Sequence, residues 1–281
     1  MNISKQIVGS ILKCVRKFHG LKQIEFCMKL NLTQGTLSKI ESGTLDITAA
    51  QWMKLCSEFN VDPNSLFIGR LNLASSRLSP ELLSAKRVNG FLIPDDFSRE
   101  MGSSVRIAYP FIRMLENKYG FEYSRNFLES LGFDPDYFVV LSNPISIHVV
   151  EKLVLHLVNK KVLTQSSIPS LFQDLPAGCL HNPLINNGIV GLADKQKINM
   201  FIESIPKYYE TDLEYKFSKK GGDVLVHDAP YLADLNFSKD FNLFRMFYNF
   251  ECFKYFQNEF LDKPILTSVK RNKEGWTLLA S

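Results

Sequence analysis

The apolar positions of this chain keep a helical period almost from its first residue. Ile7, Val8, Ile11, Leu12, Val15 and Phe18 recur three and four residues apart, which predicts a helix over residues 4–18, ended by His19-Gly20. A second helix is expected over residues 22–30. A third opens on Thr33, a good N-cap, and runs to Glu41 before Ser42-Gly43 stops it. A fourth begins near Thr48 and carries Trp52, Leu55, Cys56 and Phe59, and a fifth opens on Asp62-Pro63. Only Asn31-Leu32 separates the second helix from the third. So tight a turn between two short helices is helix-turn-helix geometry, in which the later helix can enter a major groove.

Beyond residue 70 the pattern loosens. Ser75-Ser76, Ser79-Pro80, Asn89-Gly90 and Pro94-Asp95-Asp96 mark connector and turns around a short strand, Phe91-Leu92-Ile93. From residue 105 the helical period returns: Ala108, Phe111, Ile112, Leu115 and Tyr119 share a face that ends at Gly120. Further helices are expected over residues 123–131, after the N-cap Ser146, and over residues 195–205. A loop holding His181-Asn182-Pro183 and Asn186-Asn187-Gly188 lies between the last two. The period then drops to two. Leu213, Tyr215 and Phe217 alternate with polar residues, and Val224 to His227 return after Lys219-Lys220-Gly221-Gly222. Residues 238–260 read as a long helix, and two more strands are expected over 265–269 and 276–279. The expectation is an all-α five-helix N-terminal domain (1–70), a connector (71–104) and an α+β C-terminal domain with a small antiparallel sheet (105–281).

Charge sharpens this division. The 281 residues carry a net charge of +4. Residues 1–70 hold nine Lys/Arg against five Asp/Glu, so the whole excess lies there, and a basic head on a neutral body suits a polyanion. No apolar run is long enough for a membrane span, and Lys5, Lys13, Arg16 and Lys17 interrupt any signal-peptide core. The five scattered cysteines suit neither a disulfide framework nor a zinc site, and a cytoplasmic location is expected.

Residues 9–67 resemble the Cro/C1-type helix-turn-helix domain of phage repressors and many bacterial regulators. The resemblance rests on Arg16, Gly20-Leu21-Lys22-Gln23, Cys27, the run from Leu32 to Gly43, Leu55 and Phe59-Asn60-Val61. It implies that Gln23 clamps a phosphate and that Arg16 and Glu41 form a structural ion pair between the first and third helices. It also places Thr33, Gln34, Gly35, Thr36 and Lys39 on the exposed face of a recognition helix. Gln34 suits adenine and Lys39 guanine or phosphate, while Thr36 and Ser42 suit phosphate oxygens. Lys22 and Ser38 complete the expected DNA contacts. Gly35 departs from the family, which often reads a base with a side chain there. Phe26, Leu30, Leu37 and Ile40 are expected in the core, with Cys27 as a small packing residue.

The element order after residue 105 is similar to two bacterial sensor domains. These are the haem-nitric-oxide-binding and vinyl-reductase-like group and the ligand-binding domain of arabinose-regulator-type factors. The shared features are the Leu131-Gly132-Phe133-Asp134-Pro135 turn, the hairpin and the aromatic helix, with Ser142-Asn143-Pro144-Ile145-Ser146 added in the second case. Haem is not favoured, because no histidine falls in residues 195–205, and no cofactor or metal is expected. His148 and His156 lie eight apart, His227-Asp228 face opposite ways on a strand, and Cys179 and His181 lack an orienting third residue, so no enzyme is expected. The long helix carries nine aromatics between Phe241 and Phe260, which reads as core packing or a dimer interface. The sharper reading makes Phe241, Phe244, Arg245, Phe247 and Tyr248 the lining of an apolar ligand pocket. The sequence thus points to a dimeric regulator of double-stranded DNA whose body senses a small, largely apolar ligand. The alternative is a body that only dimerises or binds a protein.

Overall fold

The computed structural model describes residues 5–73, 84–173, 175, 179–181, 183–218, 222–232, 235–272 and 275–280. The expected connector signals Ser75-Ser76 and Ser79-Pro80, Asn182 of the expected loop, and Lys219-Lys220-Gly221 of the expected turn lie outside these residues.

The head holds α1 (Lys5–Phe18), α2 (Gln23–Leu30), α3 (Gln34–Glu41), α4 (Ala49–Phe59) and the one-turn α5 (Ser65–Ile68). The caps act as the sequence requires. Thr33 Oγ1 accepts from the Thr36 amide at 3.1 Å, and Asn31 takes the left-handed conformation that ends α2 (φ 54°). Thr48 and Gln51 form a capping box on α4. Asp62 makes a turn with the Asn64 amide instead of capping α5, whose N-cap is Asn64. Gly9 sets the spacing of α1 on α3, since a Cβ there would lie 2.4 Å from the Ile40 carbonyl oxygen.

The stretch expected as a connector contributes to the core. A hairpin of β1 (Arg87–Val88) and β2 (Phe91–Leu92) turns at Asn89-Gly90, and Val88, Phe91, Ile93, Phe97 and Met101 are buried. The body continues with β3 (Ser103–Ser104), α6 (Val105–Tyr119), α7 (Phe121–Ser130), a 3-10 turn (Pro135–Val139), β4 (Pro144–Ile145) and α8 (Ile147–Asn159). After α9 (Ser170–Gln173), the expected loop at 183–188 is helical (α10, Pro183–Gly188). Then come α11 (Asp194–Tyr208), β5 (Leu213–Phe217), β6 (Val224–Asp228), α12 (Lys239–Phe260), β7 (Leu266–Arg271) and β8 (Gly275–Ala280). The two expected hairpins join in one antiparallel sheet of order β5-β6-β8-β7, with Val226 opposite Trp276.

Two hydrophobic cores result. One runs without a break from the head through α6, α7 and α8, and the other lies between the sheet, α11 and α12. The helix α12 serves both: Phe241 and Tyr248 pack into the first, Met246, Phe253 and Phe256 into the second. That double duty is why its aromatics cover most of its circumference.

The head is docked on the body along α1. Asp136, in the 3-10 turn, accepts hydrogen bonds from Ser10 Oγ (2.8 Å), Lys13 Nζ and Arg125 Nη1 (3.1 Å), and its carbonyl accepts from the Cys14 thiol. Lys17 pairs with Asp134 and lies 3.9 Å from the centre of the Phe91 ring. Arg70 and Glu116 form a buried ion pair at the junction. Leu71 exchanges backbone hydrogen bonds with Val139 and Leu141, and Leu73 bridges back to Val61.

Candidate nucleic-acid interface and buried cavity

The third helix presents what the sequence anticipates. Leu37 and Ile40 are buried, while Thr33, Gln34, Gly35, Ser38 and Lys39 are exposed and Thr36 is half-buried. Lys22 and Ser42 flank this surface and are also exposed. A Cβ at Gly35 would meet no atom within 4 Å, so the glycine opens the surface and fills no packing need.

A polar network holds the surface from beneath. Arg16 meets Glu41 through two parallel hydrogen bonds, Nε to Oε1 at 2.7 Å and Nη2 to Oε2 at 3.1 Å. This is the bidentate geometry that makes arginine–carboxylate pairs both strong and directional. Glu41 Oε2 also accepts from Gln23 Nε2 at 3.1 Å, and Gln23 Oε1 faces Gln34 Nε2 at 3.4 Å. The ion pair therefore orients Gln23, and Gln23 orients Gln34. Thr36 and Ser42 are tied locally: the Thr36 hydroxyl bonds Thr33, and the Ser42 hydroxyl reaches the Lys39 carbonyl and Thr44. Cys27 is buried as a packing residue, and burial raises its thiol pKa.

The body holds a cavity between α6, α11, α12 and β5. Of Phe241, Phe244, Arg245, Phe247 and Tyr248, only Tyr248 lines it. Phe241 is core. Arg245 is engaged with Asp228 at 2.8 Å and lies over the rings of Phe237 and Phe241. The cause is rotation along α12: residues one turn on, Asn249, Cys252 and Phe253, turn toward the cavity instead. Ile107, Leu180, Phe201 and Ile205 complete its apolar wall. Its volume is about 30 Å³, room for one or two waters.

Apart from His181 and Tyr248, the polar groups around this cavity were not singled out in the sequence. Arg106, at the start of α6, is buried; its Nη1 donates to the carbonyls of Cys179 and His181, and its Nη2 to Asn72 Oδ1 at 2.9 Å. Asn72 in turn donates its side-chain amide to the His181 carbonyl and its backbone amide to Ser65 Oγ of α5. Glu210 accepts from Tyr215 at 2.9 Å, Tyr215 accepts from Asn249, and Asn249 accepts from Trp276. Burial, then the charge of Asp212, pushes Glu210 up to about 7. Asp212 is itself raised by burial and bonded to the hydroxyls of Ser103 and Tyr231. A lone arginine at a helix start and two acids before a strand look like surface residues in a sequence, so no local signal marks them.

The remaining candidates stay dispersed. His148 faces Glu151, His156 faces Tyr123, and the Cys179 thiol is pushed by burial up to about 12. Burial lowers the pKa of His181 against the opposing pull of Glu259, 3.2 Å away. Among the described residues no group of three or more His, Cys, Asp or Glu is placed to hold a metal, and no helix is long and apolar enough to cross a membrane.

Comparison with known proteins agrees with the head. A family model described as helix-turn-helix matches residues 12–66. The antitoxin PezA of Streptococcus pneumoniae serotype 4 is 33% identical over 55 residues, which are 20% of this chain and 35% of that protein. The match thus spans about a third of the relative's length, and no solved structure matches the chain. The network of Arg16, Gln23 and Glu41, the tight turn at Asn31 and the family match together identify residues 12–66 as a helix-turn-helix domain of the Cro/C1 type.

Proposed function

We propose that this protein is a cytoplasmic, sequence-specific DNA-binding transcriptional regulator that acts as a homodimer and whose body senses a small, largely apolar ligand. The observation that carries the DNA-binding reading is the exposed polar face of α3, with Gln34 held by Gln23 and Gln23 by Glu41. Helix α3 has eight residues and covers only a few base pairs, so useful specificity calls for two heads on half-sites about one helical turn apart. The ligand acts by favouring one placement of the heads, which requires unequal affinity for the two states. Asn72 supports this coupling, since it joins Arg106 at the cavity to Ser65 in the head.

The test is selection of duplex DNA from a random pool on the full-length protein, followed by anisotropy titration with Gln34→Ala and Lys39→Ala. Altered preference in the first and weaker binding in both are expected; wild-type affinity and preference in both variants would remove the recognition-helix assignment. A second reading, a body that only dimerises or binds a protein, is favoured by the small volume of the cavity as it stands. Calorimetric titration of apolar small molecules into the purified protein separates the two.

A further inference from the structure

Three arginines among the described residues are buried: Arg70, Arg106 and Arg245, at 4%, 1% and 8% exposure. Arg70 has Glu116 and Arg245 has Asp228. Arg106, the most deeply buried of the three, has no carboxylate within 4 Å among the described residues, and its acceptors are all neutral oxygens. Its Nε is inaccessible to solvent and lacks a hydrogen-bond partner. A buried charge without a counter-ion is costly, and such costs are retained mainly where a site uses them.

The surroundings say what would satisfy it. Arg106 lines the cavity together with the rings of Phe201, Tyr215, Tyr248 and Phe253 and the Glu210 carboxyl, which burial keeps largely protonated below about pH 7. The guanidinium is a planar fork that matches a carboxylate in two parallel hydrogen bonds. Rings and aliphatic side chains suit a flat or branched apolar body. Phosphate fits poorly, because among the described residues Arg106 is the one arginine or lysine lining the cavity and a dianion brings more charge than one guanidinium balances.

We propose that the cavity is a binding site for a small apolar monocarboxylate, with the carboxylate on Arg106 and the apolar body against the aromatic wall. This rests on the reading of the body as a ligand sensor and names the chemical class sensed. The cavity must widen to admit such a molecule. Leu180 and His181 of its wall belong to no helix or strand, and His181 is held there by Arg106, Asn72 and Glu259, contacts that widening must exchange. The Cys179 and His181 carbonyls on that wall are the present acceptors of Arg106. An arriving carboxylate competes for the same guanidinium and releases them.

The experiment titrates the full-length protein with benzoate and isobutyrate, and with benzamide and isobutyramide as neutral isosteres, reading Tm and calorimetric binding. At least one acid is expected to bind saturably and its amide about tenfold or more weaker, because a site built for a charged hydrogen bond rejects the analogue that lacks it. Arg106→Met should lose the acid to a similar degree. Should that variant fail to fold, Cys252→Met fills the cavity without touching the hydrogen bonds of Arg106 and should abolish binding equally. Equal binding of acid and amide would overturn the carboxylate assignment and leave the sensor reading standing. Acid binding that survives both variants would place the site elsewhere and overturn the proposal. No binding of any of the four probes would overturn the proposal, and the sensor reading would then stand or fall on the wider titration of apolar small molecules.

Discussion

Arg16 in the head is largely, and Arg106 in the body almost wholly, removed from solvent, and their surroundings differ in one respect. Arg16 meets Glu41 face to face, and Glu41 spends its remaining acceptor capacity on Gln23. Among the described residues the hydrogen-bond acceptors of Arg106 are carbonyl oxygens, with the Tyr209 ring 5.8 Å away, and nearby Glu210 accepts from a tyrosine hydroxyl. The same contrast separates the junction, where Asp136 gathers Ser10, Lys13 and Arg125, from the cavity. Paired charges hold a geometry: they keep α3 oriented and α1 seated. Unpaired charges hold a capacity to bind or to change protonation. Removing one partner of a pair strands the other, whereas neutralising a lone buried charge relieves a cost.

The largest expected effect breaks the paired side of this comparison. Asp136→Ala strands Lys13 and Arg125 and should cost about 3 kcal/mol, read by chemical denaturation. The pH dependence carries the same information. Burial works to raise the Asp136 pKa, but the Lys13 hydrogen bond and charge, with Ser10 and Arg125, outweigh it and hold the carboxyl below its ordinary value. The contribution is therefore fully present above the unfolded value of 3.8 and is lost as pH falls through the lower folded one. A wild-type protein with no acid loss relative to Asp136→Ala would contradict this.

Arg16→Met should follow, at about 2 kcal/mol, because Glu41 keeps Gln23 as a partner and is slightly exposed. Its DNA affinity should fall as well, since Gln23 and Gln34 lose their common anchor. Anisotropy at a temperature where the variant remains folded separates this from unfolding.

Glu210→Gln probes the unpaired side, and its sign is opposite. Because burial and Asp212 raise Glu210 from 4.5 to about 7, the folded protein holds a proton that the unfolded chain releases. Wild-type stability should therefore fall as pH rises from 4.5 to about 7 and level off above. The glutamine keeps the acceptor for Tyr215 and removes that fall, so the variant should be more stable at pH 8 by on the order of 1–2 kcal/mol. A variant destabilised equally at pH 5 and pH 8 would place Glu210 among the paired charges. The smallest effect is at the surface: Lys39→Ala should reduce the salt dependence of DNA binding by roughly one counter-ion if Lys39 meets phosphate.

The head was legible in the sequence nearly residue by residue. Thr33, Asn31 and Thr48 act through caps and turns that span three or four residues, and the Arg16–Glu41 pair followed from a resemblance confined to the same short stretch. The body was legible as elements: α6, α7, α8, α11, α12 and both hairpins lie close to where periodicity puts them. The helix at 183–188 was missed because its asparagines and glycine are turn formers that tertiary context overrode. Of the five residues of α12 expected at a ligand pocket, only Tyr248 lines the cavity described above. Period alone does not say which side of an all-round aromatic helix faces a gap, and here Asn249, Cys252 and Phe253 do.

By itself, then, the sequence determined a basic helix-turn-helix head, which residues of its third helix are exposed, and an α+β body, because caps, period and charge act over a few residues. The tertiary structure alone decided three things. It seats the head on the body through Asp136, which is 126 residues from Ser10. It merges the two hairpins into one sheet. It also leaves Arg106 without a carboxylate, beside the carbonyl of His181, 75 residues away. Each depends on which distant groups meet, and burial then fixes the energetic meaning of the meeting: the same guanidinium is a strut beside a carboxylate and a vacancy without one.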